Sequence, residues 1–249
     1  MAATIAARLR QDNVAALQEQ RRLISVRPVE CESQYYRSRY SRHYARIEPS
    51  RSLRKRLFDI VVAGAALSFF APLLIAIAIA IKLTSHGPVL FLQNRYGYRN
   101  RRFKIYKFRS MRVEAGDKTG VKQTVEGDSR ITWIGKILRK TSLDEVPQLI
   151  NVMKGDMSLV GPRPHVPGML AADFLYEDLV PYYFQRHTAR PGITGLAQIN
   201  GCRGSTVEAG RAISRIDYDL DYIERWSLWL DIRIILSTIR KEFLSGSGF

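Results

Sequence analysis

Cysteine is scarce in this 249-residue chain, which has only Cys31 and Cys202. Two cysteines so far apart do not make a disulfide framework, and neither stands at the spacing of a metal ligand. The four histidines are scattered along the chain. These absences exclude a small disulfide-stabilised domain and a cysteine-based metal site, and they favour a reducing, cytoplasmic setting.

Motifs of the common nucleotide-binding and metalloprotease sites are also missing. The chain has no G-x-G-x-x-G, no Walker A sequence and no H-E-x-x-H, and it shows no internal repeat or low-complexity run. However, 46% of its residues are hydrophobic and 10% are aromatic. This composition excludes a wholly disordered or fibrous protein and allows a sizeable core.

Acidic residues are missing from one stretch of the chain, and this absence locates the excess of positive charge. The formal net charge is +16, from 39 Lys and Arg against 23 Asp and Glu. Residues 1–56 contribute +8, residues 57–81 contribute −1, residues 82–112 contribute +9 and residues 113–249 contribute zero. Nearly all of the excess flanks one almost uncharged segment. An excess of this size calls for an anionic partner such as nucleic acid, anionic lipid or a phosphorylated substrate.

The segment from residue 60 to residue 81 has no charged side chain over 22 residues. As a helix it would be about 33 Å long, against a hydrocarbon core of about 30 Å, which favours a membrane helix. It lies too far into the chain to be a secretory signal. The alternative is a buried core helix, although such helices are normally shorter and have a polar face.

Two features predict that this segment enters the membrane without crossing it. Pro72, near its middle, removes a helical hydrogen bond and favours a kink or break, and neither half is long enough to span alone. Lysines and arginines lie on both flanks, and such residues favour the cytoplasmic side. We therefore predict a re-entrant helix–break–helix of a monotopic membrane protein. A simple kinked span remains the alternative.

The rest of the chain predicts an α/β protein, mostly helical, with a small β-hairpin or sheet. Strands are predicted over residues 89–93 and 103–108, and helices over 131–140, 142–153 and 206–243. The last helix, with Trp226 and Trp229, suits either the membrane interface, as an interfacial amphipathic helix, or the domain core. The predicted organisation is a basic, poorly ordered extension (1–50), a membrane segment (51–83) and a cytoplasmic catalytic domain (84–249).

Asp144 and Glu145 form the candidate catalytic pair. Ser142 and Glu145 also fit a capping box, in which the acidic residues would merely favour a helix start. The surrounding residues favour a catalytic role for the pair, because basic residues lie just upstream and arginines recur in the Gly- and Pro-rich segments 161–164 and 190–195. Carboxylates can hold a divalent cation or attack phosphorus, and arginines bind phosphate oxygens by paired hydrogen bonds. The set therefore predicts phosphoryl chemistry.

Five motifs occur in order along the chain: residues 55–59 (KRLFD), 107–111 (KFRSM), 138–149 (LRKTSLDEVPQL), 155–164 (GDMSLVGPRP) and 190–198 (RPGITGLAQ). Together they resemble the bacterial sugar transferase family, the monotopic polyprenyl-phosphate phosphoglycosyl transferases that start exopolysaccharide and O-antigen repeat units. The resemblance covers about residues 53–249 and is to the small, exopolysaccharide-initiating members. One difference is Ala197, where many members have tryptophan.

The resemblance implies an enzyme that transfers a sugar 1-phosphate, with galactose or glucose as the expected sugar, from a UDP-sugar to undecaprenyl phosphate and releases UMP. It implies that Asp144 is the nucleophile of a covalent aspartyl-phosphosugar intermediate and that Glu145 is a ligand of Mg²⁺. By the same correspondence, the substrate- and phosphate-binding positions are Lys107, Arg139, Arg163, Asp219 and Asp231.

The expected surroundings are the lipids of a bacterial inner membrane, with the protein on its cytoplasmic face. Nucleic acid is not expected as a partner, and a homodimer is compatible with the sequence. The main alternative is a membrane-anchored basic protein that binds nucleic acid or lipid without catalysis. A scaffold for other polysaccharide enzymes is a second alternative. The sequence does not identify the sugar.

Overall fold

The computed structural model describes residues 48–112, 128–202, 204 and 207–245, all within one compact unit of the chain. The predicted N-terminal extension lies outside these residues, apart from its last three positions. The helices are α1 (Leu53–Thr84), α2 (Trp133–Lys140), α3 (Gln148–Lys154), α4 (Tyr176–Leu179), α5 (Leu196–Ile199), α6 (Ala209–Arg225) and α7 (Leu228–Ser245). The strands are β1 (Leu90–Tyr96), β2 (Arg102–Phe108), β3 (Ser158–Val160), β4 (Leu170–Ala171), β5 (Phe174–Leu175) and β6 (Gly192–Thr194). The predicted mostly helical class with small sheets is confirmed.

Helix α1 is the longest element, and it includes the uncharged segment. The Ser52 hydroxyl accepts a hydrogen bond from the Lys55 amide at 3.4 Å and caps the start of the helix. Pro72 lies inside the helix, and helical structure is recorded on both sides of it without an unwound residue. The two predicted half-helices are therefore one element, because proline removes one hydrogen bond and leaves its neighbours' bonds in place. A bend at Pro72 stays a prediction.

Most of the apolar surface of α1 is left uncovered by the part of the chain that the structure describes. The helix is long and apolar enough to cross a membrane by length and composition, and only 11% of its most apolar stretch is buried. Phe69, Leu73 and Ile75 are exposed. This low burial argues against a core helix, whose apolar side chains would pack inside the domain.

Buried polar contacts hold the N-terminal half of α1 against the domain. Lys55 Nζ lies 2.7 Å from Asp231 Oδ2 of α7, and both side chains are almost completely buried. One turn further on, the Asp59 carboxylate accepts a hydrogen bond from the Leu159 backbone N–H of β3 at 3.1 Å. Ala63, another turn along, is fully buried in the main hydrophobic core. Residues 55, 59 and 63 thus form one face that packs on the domain.

The C-terminal part of α1 also packs on the domain. Ile77 and Ile81 are buried in a second apolar cluster with side chains of β2 and α2. Just past the end of the helix, the Arg109 guanidinium donates to the Ser85 carbonyl at 2.7 Å. Both parts of α1 therefore contact one domain, and the residues left largely exposed between them are 69–76.

Strands β1 and β2 form the predicted hairpin. They are antiparallel, with Leu90 opposite Phe108 at one end and Tyr96 opposite Arg102 at the other. Both strands are longer than predicted, so the connecting loop shortens to residues 97–101. Opposed residues of such a ribbon share a face, and the faces alternate along each strand. The register therefore determines which side chains of the hairpin turn towards the domain.

A short parallel pair of strands joins the two Gly- and Pro-rich segments. Strand β3 pairs with β6, with Ser158 opposite Gly192. A Cβ on Gly192 would lie 2.1 Å from the backbone N of Gly161, so the close approach of the two segments requires glycine. The two Gly- and Pro-rich segments, in which the sequence predicts functional arginines, are therefore held side by side.

The predicted single helix over residues 206–243 is wrong, because α6 and α7 are separate helices. Trp226 between them has φ −49° and ψ 133°, outside the helical region, and its indole N–H donates to Asp231 at 3.1 Å. The Ser227 hydroxyl then accepts from the Leu230 amide at 3.2 Å and caps the new helix. Apolar residues keep helical spacing across the break, so spacing alone does not reveal it.

Apolar side chains remain exposed on two further helices. Trp133 and Ile137 are exposed on α2, and Trp229 and Leu236 are exposed on α7. Faces of this kind fit helices that lie in a membrane interface. The predicted contact of these helices with lipid stays a prediction.

Replacement of Lys55 by methionine is expected to lower the free energy of unfolding by about 3–5 kcal/mol, because the buried Asp231 carboxylate would lose its countercharge. The Arg51–Glu48 pair provides a control, since its arginine side chain is 68% exposed. Arg51→Met should change the free energy of unfolding by less than about 1 kcal/mol. Denaturant-induced unfolding of the detergent-solubilised protein measures both effects, and equal stability of the two variants would contradict the prediction.

Candidate active site

Asp144 and Glu145 lie on a 3-10 turn, Leu143–Glu145, between α2 and α3. Ser142, just before the turn, is in the left-handed region at φ 55° and ψ 14°, and its side chain does not cap the turn. Helix α3 begins only at Gln148. The capping-box explanation of the acidic pair is therefore wrong, because the pair precedes the helix and belongs to a separate tight turn.

The Glu145 carboxylate is held by two cations from different elements. Lys107 Nζ of β2 lies 2.7 Å from Oε1, and Arg163 Nη2 lies 2.6 Å from the same oxygen. Burial opposes ionisation of Glu145, but Arg163 and Lys107 outweigh burial and hold its pKa well below the usual range. Burial also lowers the pKa of Lys107, with the charge of Glu145 in opposition. Glu145 is therefore a fixed anion at the centre of the site.

Asp144 has no hydrogen-bond or ion-pair partner for its carboxylate within the part of the chain that the structure describes. The residue is 9% exposed, and its oxygens are not among the sealed, unpartnered polar atoms, so the carboxylate still meets solvent. Burial raises the pKa of Asp144 above its ordinary value; Lys107 opposes this rise and the charge of Glu145 adds to it. Of the two carboxylates, Asp144 is the one whose oxygens are available.

Arg139 approaches Asp144 from the last turn of α2. Its Nε donates to Ser110 Oγ at 2.8 Å, and burial lowers its pKa, with the charge of Asp144 in opposition. Gly135 permits this position, because a Cβ there would lie 2.0 Å from the Ser110 carbonyl oxygen. The close approach of α2 to the end of β2 thus places Arg139 beside the acidic pair.

The loop that carries Arg163 is fixed through four consecutive backbone carbonyls. From Pro162 to His165 in order, the donors are Gly192 N (2.9 Å), Arg186 Nη2 (2.6 Å), Arg95 Nη1 (3.2 Å) and Tyr96 N (3.0 Å). Pro162 and Pro164 have no N–H, so the carbonyls are the main backbone groups by which this loop can be held. Each donor comes from outside the loop, and together they fix the path of the chain at Arg163.

Asp219 does not reach the acidic pair. It lies in α6, is 2% exposed and binds Arg186, whose Nε and Nη2 lie 2.9 and 2.6 Å from Oδ2. Arg186 in turn donates to the Arg163 carbonyl. Asp219 is therefore linked to the predicted site only through Arg186 and Arg163, which stand between it and Glu145.

Asp231 is held beside Lys55, in contact with α1. Besides Lys55, the Tyr222 hydroxyl donates to its carboxylate at 2.8 Å and the Trp226 indole donates at 3.1 Å. The residue is fully buried, so its carboxylate is not available to a substrate. These contacts show that Asp231 takes part in the attachment of α1, and its role in phosphate binding stays a prediction.

Arg95 is a site residue that the sequence does not single out. The hairpin register places it on the same face as Lys107. Its guanidinium also donates to the Gln93 side chain, and its Nε is buried without a hydrogen-bond partner. Burial, together with the nearby charge of Arg163, lowers the pKa of Arg95 to about 10. In the sequence it is one of several arginines in residues 95–102, and only the register distinguishes it.

A pocket of about 200 Å³ lies beside Glu145. Leu149, Ile193 and Ile199 supply apolar walls from α3, β6 and α5, and Gln198 adds a polar group. The Gln198 Oε1 atom is buried without a hydrogen-bond partner. A lining of this kind suits the weakly polar part of a substrate and leaves the charged part to the cations around Glu145.

Among residues 48–112, 128–202 and 207–245, no group of three or more His, Cys, Asp and Glu side chains could hold a metal ion. Mg²⁺, however, is commonly held by one or two carboxylates together with substrate phosphates and water. Glu145 fits such a site as far as its charge is concerned, since its pKa is low and a ligand must be ionised. The acidic pair alone is an incomplete ligand set that a diphosphate could complete.

Known proteins are similar in sequence to this chain over most of its length. A family model described as bacterial sugar transferase matches residues 50–245. The exopolysaccharide production protein PSS of Rhizobium leguminosarum bv. phaseoli is 53% identical over 195 residues, which cover 78% of this chain and 98% of that protein. A UDP-glucose:undecaprenyl-phosphate glucose-1-phosphate transferase of Caulobacter vibrioides is 50% identical over 197 residues, or 79% of this chain and 72% of that protein.

A transferase with the same name from Xanthomonas campestris pv. campestris is 52% identical over 184 residues, which cover 74% of this chain and 37% of that protein. This chain thus spans well under half of that longer relative. The family match, by contrast, includes α1, the hairpin, the turn Leu143–Glu145 (the acidic turn) and both Gly- and Pro-rich segments. The resemblance is confirmed, and the chain belongs to the bacterial sugar transferase family.

Proposed function

We propose that this enzyme transfers a sugar 1-phosphate, with galactose or glucose as the sugar, from a UDP-sugar to undecaprenyl phosphate, and that it starts exopolysaccharide synthesis. The names of two relatives support the substrates and the pathway, since one is named for UDP-glucose and undecaprenyl phosphate and the other for exopolysaccharide production. The observation that carries the proposal is the acidic pair: within the described residues the Asp144 carboxylate has no hydrogen-bond or ion-pair partner, while the adjacent Glu145 is fixed by two cations. One carboxylate is thus available to react while the other is held in place.

The charges around the acidic pair suit an anionic diphosphate. Four cations face two carboxylates: Arg95, Lys107, Arg139 and Arg163 against Asp144 and Glu145. The excess is partly buried, where water and salt screen it less than at the surface. A nucleoside diphosphate sugar would balance this excess, and its phosphate oxygens match the paired donors of arginine.

In the proposed first step, an Asp144 oxygen attacks the phosphorus atom that bears the sugar. The bond between this phosphorus and the oxygen of UMP breaks, and the electron pair leaves with UMP. Asp144 is then joined to the sugar phosphate as an acyl phosphate. Arg139 and Arg163, whose charges both act on the Asp144 carboxyl, would stabilise the charge that develops on the phosphoryl oxygens.

In the proposed second step, a phosphate oxygen of undecaprenyl phosphate attacks the same phosphorus atom. The bond to Asp144 breaks, the carboxylate is restored and the product is undecaprenyl diphosphate sugar. UMP has departed by then, so a water-soluble donor and a lipid acceptor can use one set of cations in turn.

Glu145 is the residue that would hold Mg²⁺, with phosphate oxygens of the donor completing the ligand set. Bound there, the metal would neutralise diphosphate charge and stabilise the departing nucleotide phosphate. Lys107 and Arg163 already occupy the Glu145 oxygens. These two side chains would therefore share Glu145 with the metal or move onto the donor phosphates.

We propose that the protein is monotopic and lies on the cytoplasmic face of the bacterial inner membrane, with α1 dipping into the lipid and returning. Two observations support this placement. Both parts of α1 contact one domain while residues 69–76 remain largely exposed, and basic residues flank the helix on both sides. A helix that crossed the bilayer would carry one basic flank to the outer side.

Incubation with a UDP-sugar alone is expected to give a phosphosugar adduct on Asp144 and an equal amount of UMP. Asp144→Asn should form no adduct and should lose transfer activity roughly a thousandfold or more, because an amide is a poor nucleophile. Asp178→Asn, at an exposed position, should behave as the unmodified protein. Intact-protein mass spectrometry detects the adduct. Full transfer activity in Asp144→Asn would contradict the mechanism.

Removal of divalent cations with EDTA is expected to stop UMP release, and added Mg²⁺ should restore it. Glu145→Gln keeps the side-chain shape but removes the charge. The Mg²⁺ concentration that gives half-maximal activity should therefore rise about tenfold or more. The control Asp178→Asn should keep the original requirement. The measurement is UMP release over a Mg²⁺ titration, and undiminished release from metal-free protein would refute the metal requirement.

Single cysteines introduced as Arg51→Cys and His86→Cys, in a chain whose native cysteines are replaced, should both react with a membrane-impermeant maleimide from the cytoplasmic side. Both positions are exposed and lie just outside α1. Phe69→Cys, in the exposed middle of the helix, should be shielded by lipid. Spheroplasts and inverted vesicles give access to the two sides. Labelling of positions 51 and 86 from opposite sides would establish a kinked span instead.

A further inference from the structure

Arg95 lies beside Arg163 and is bonded to the loop that carries it. We infer that Arg95 is a positioning residue for the sugar-phosphate transfer: it fixes the backbone at Pro164 so that the Arg163 guanidinium stays on Glu145. The kinetic part of this inference rests on the proposed function, whereas its structural part does not.

The loop needs such a support because its own backbone offers few hydrogen bonds. Two of its four consecutive residues from 162 to 165 are prolines, which have no N–H. Two of the four donors to its carbonyls are backbone N–H groups of β1 and β6, which their strands hold in place. The other two donors are side chains, Arg186 and Arg95, and each of them can be removed by substitution without a break in a strand.

The two side-chain donors differ in how they are held. Arg186 is locked in a buried ion pair with Asp219. Arg95 has no carboxylate within ion-pair distance in the described part of the chain, and the Gln93 side chain is its other hydrogen-bond partner. Arg95 is therefore held on the loop by neutral groups. Among the charged groups around it, Arg163 has the largest effect on the pKa of Arg95.

A neutral donor could also bind the Pro164 carbonyl, although more weakly than the guanidinium does. The positive charge of Arg95 has an additional effect, because it repels the Arg163 guanidinium while Glu145 attracts it. This repulsion disfavours an approach of Arg163 to Arg95, and Glu145 holds the Arg163 guanidinium at 2.6 Å. Arg95 thus acts on Arg163 in two ways, through the loop backbone and through its charge.

Three variants separate these effects. Arg95→Gln removes the charge and shortens the donor, Arg95→Lys keeps the charge, and Arg101→Gln changes an exposed arginine of the same hairpin. At saturating UDP-sugar, the rate of phosphosugar-enzyme formation should fall about tenfold or more in Arg95→Gln, with KM changed by less than about threefold. Arg95→Lys should recover most of the rate, and Arg101→Gln should match the unmodified protein. A loss confined to KM would overturn the inference.

A double-mutant cycle tests whether Arg95 acts through Arg163. In the Arg163→Met background, Arg95→Gln should reduce the remaining rate by less than about twofold, because the side chain to be positioned is gone. Effects that multiply in the double variant would show that Arg95 acts independently, and they would overturn the inference.

Hydrogen exchange gives a readout that does not depend on activity. Amides in residues 161–166 should exchange faster in Arg95→Gln than in Arg101→Gln, at equal melting temperature. If Arg95→Gln does not fold, Arg95→Lys takes its place, with a smaller increase expected. Unchanged exchange would overturn the positioning role. Absence of UMP release and adduct in the unmodified protein with every UDP-sugar would refute the proposed function, and the exchange comparison would still decide the role of Arg95.

Discussion

The contact of Glu145 with Lys107 and Arg163 joins three segments that are far apart in the sequence: strand β2, the acidic turn and the loop after β3. A buried carboxylate without such partners would become protonated or would destabilise the fold. The contact therefore fixes the acidic turn to β2 and to the loop, both of which are also held by backbone hydrogen bonds of their own. In the described part of the chain Asp144 makes no comparable contact, and it occupies its place because the next residue is fixed.

Buried charge also determines where this site lies relative to the apolar helix. The Lys55–Asp231 pair attaches one end of α1, while Ile77 and Ile81 pack at the other end against α2. Helix α3, which follows the acidic turn, packs on α1 through the core around Ala63. The acidic turn thus lies between two helices that both touch α1. Its distance from a bilayer entered by α1 is consequently set by packing and not by a flexible linker, which suits a reaction between a soluble donor and a lipid.

Features that depend on composition and local order could be predicted from the sequence. The uncharged run predicted a long apolar helix, the strand patterns predicted the hairpin, and the motifs predicted that the acidic pair lies among basic side chains. Features that depend on distant partners could not. The break at Trp226 arises where its indole meets Asp231, and that carboxylate is occupied by Lys55, 176 positions away in sequence. Arg95 becomes distinct from its neighbouring arginines only when the hairpin register is known.

The pKa values of the two adjacent carboxylates are shifted in opposite directions, and this difference supports the roles proposed for them without reference to any relative. A metal ligand must stay ionised, and the cations on Glu145 hold its pKa well below the usual range. A nucleophile gains reactivity from higher basicity as long as its pKa stays below the working pH, and burial raises the pKa of Asp144. The roles would be reversed if Lys107 and Arg163 contacted Asp144 instead. The tight turn prevents this, because it presents only the second carboxylate to both cations.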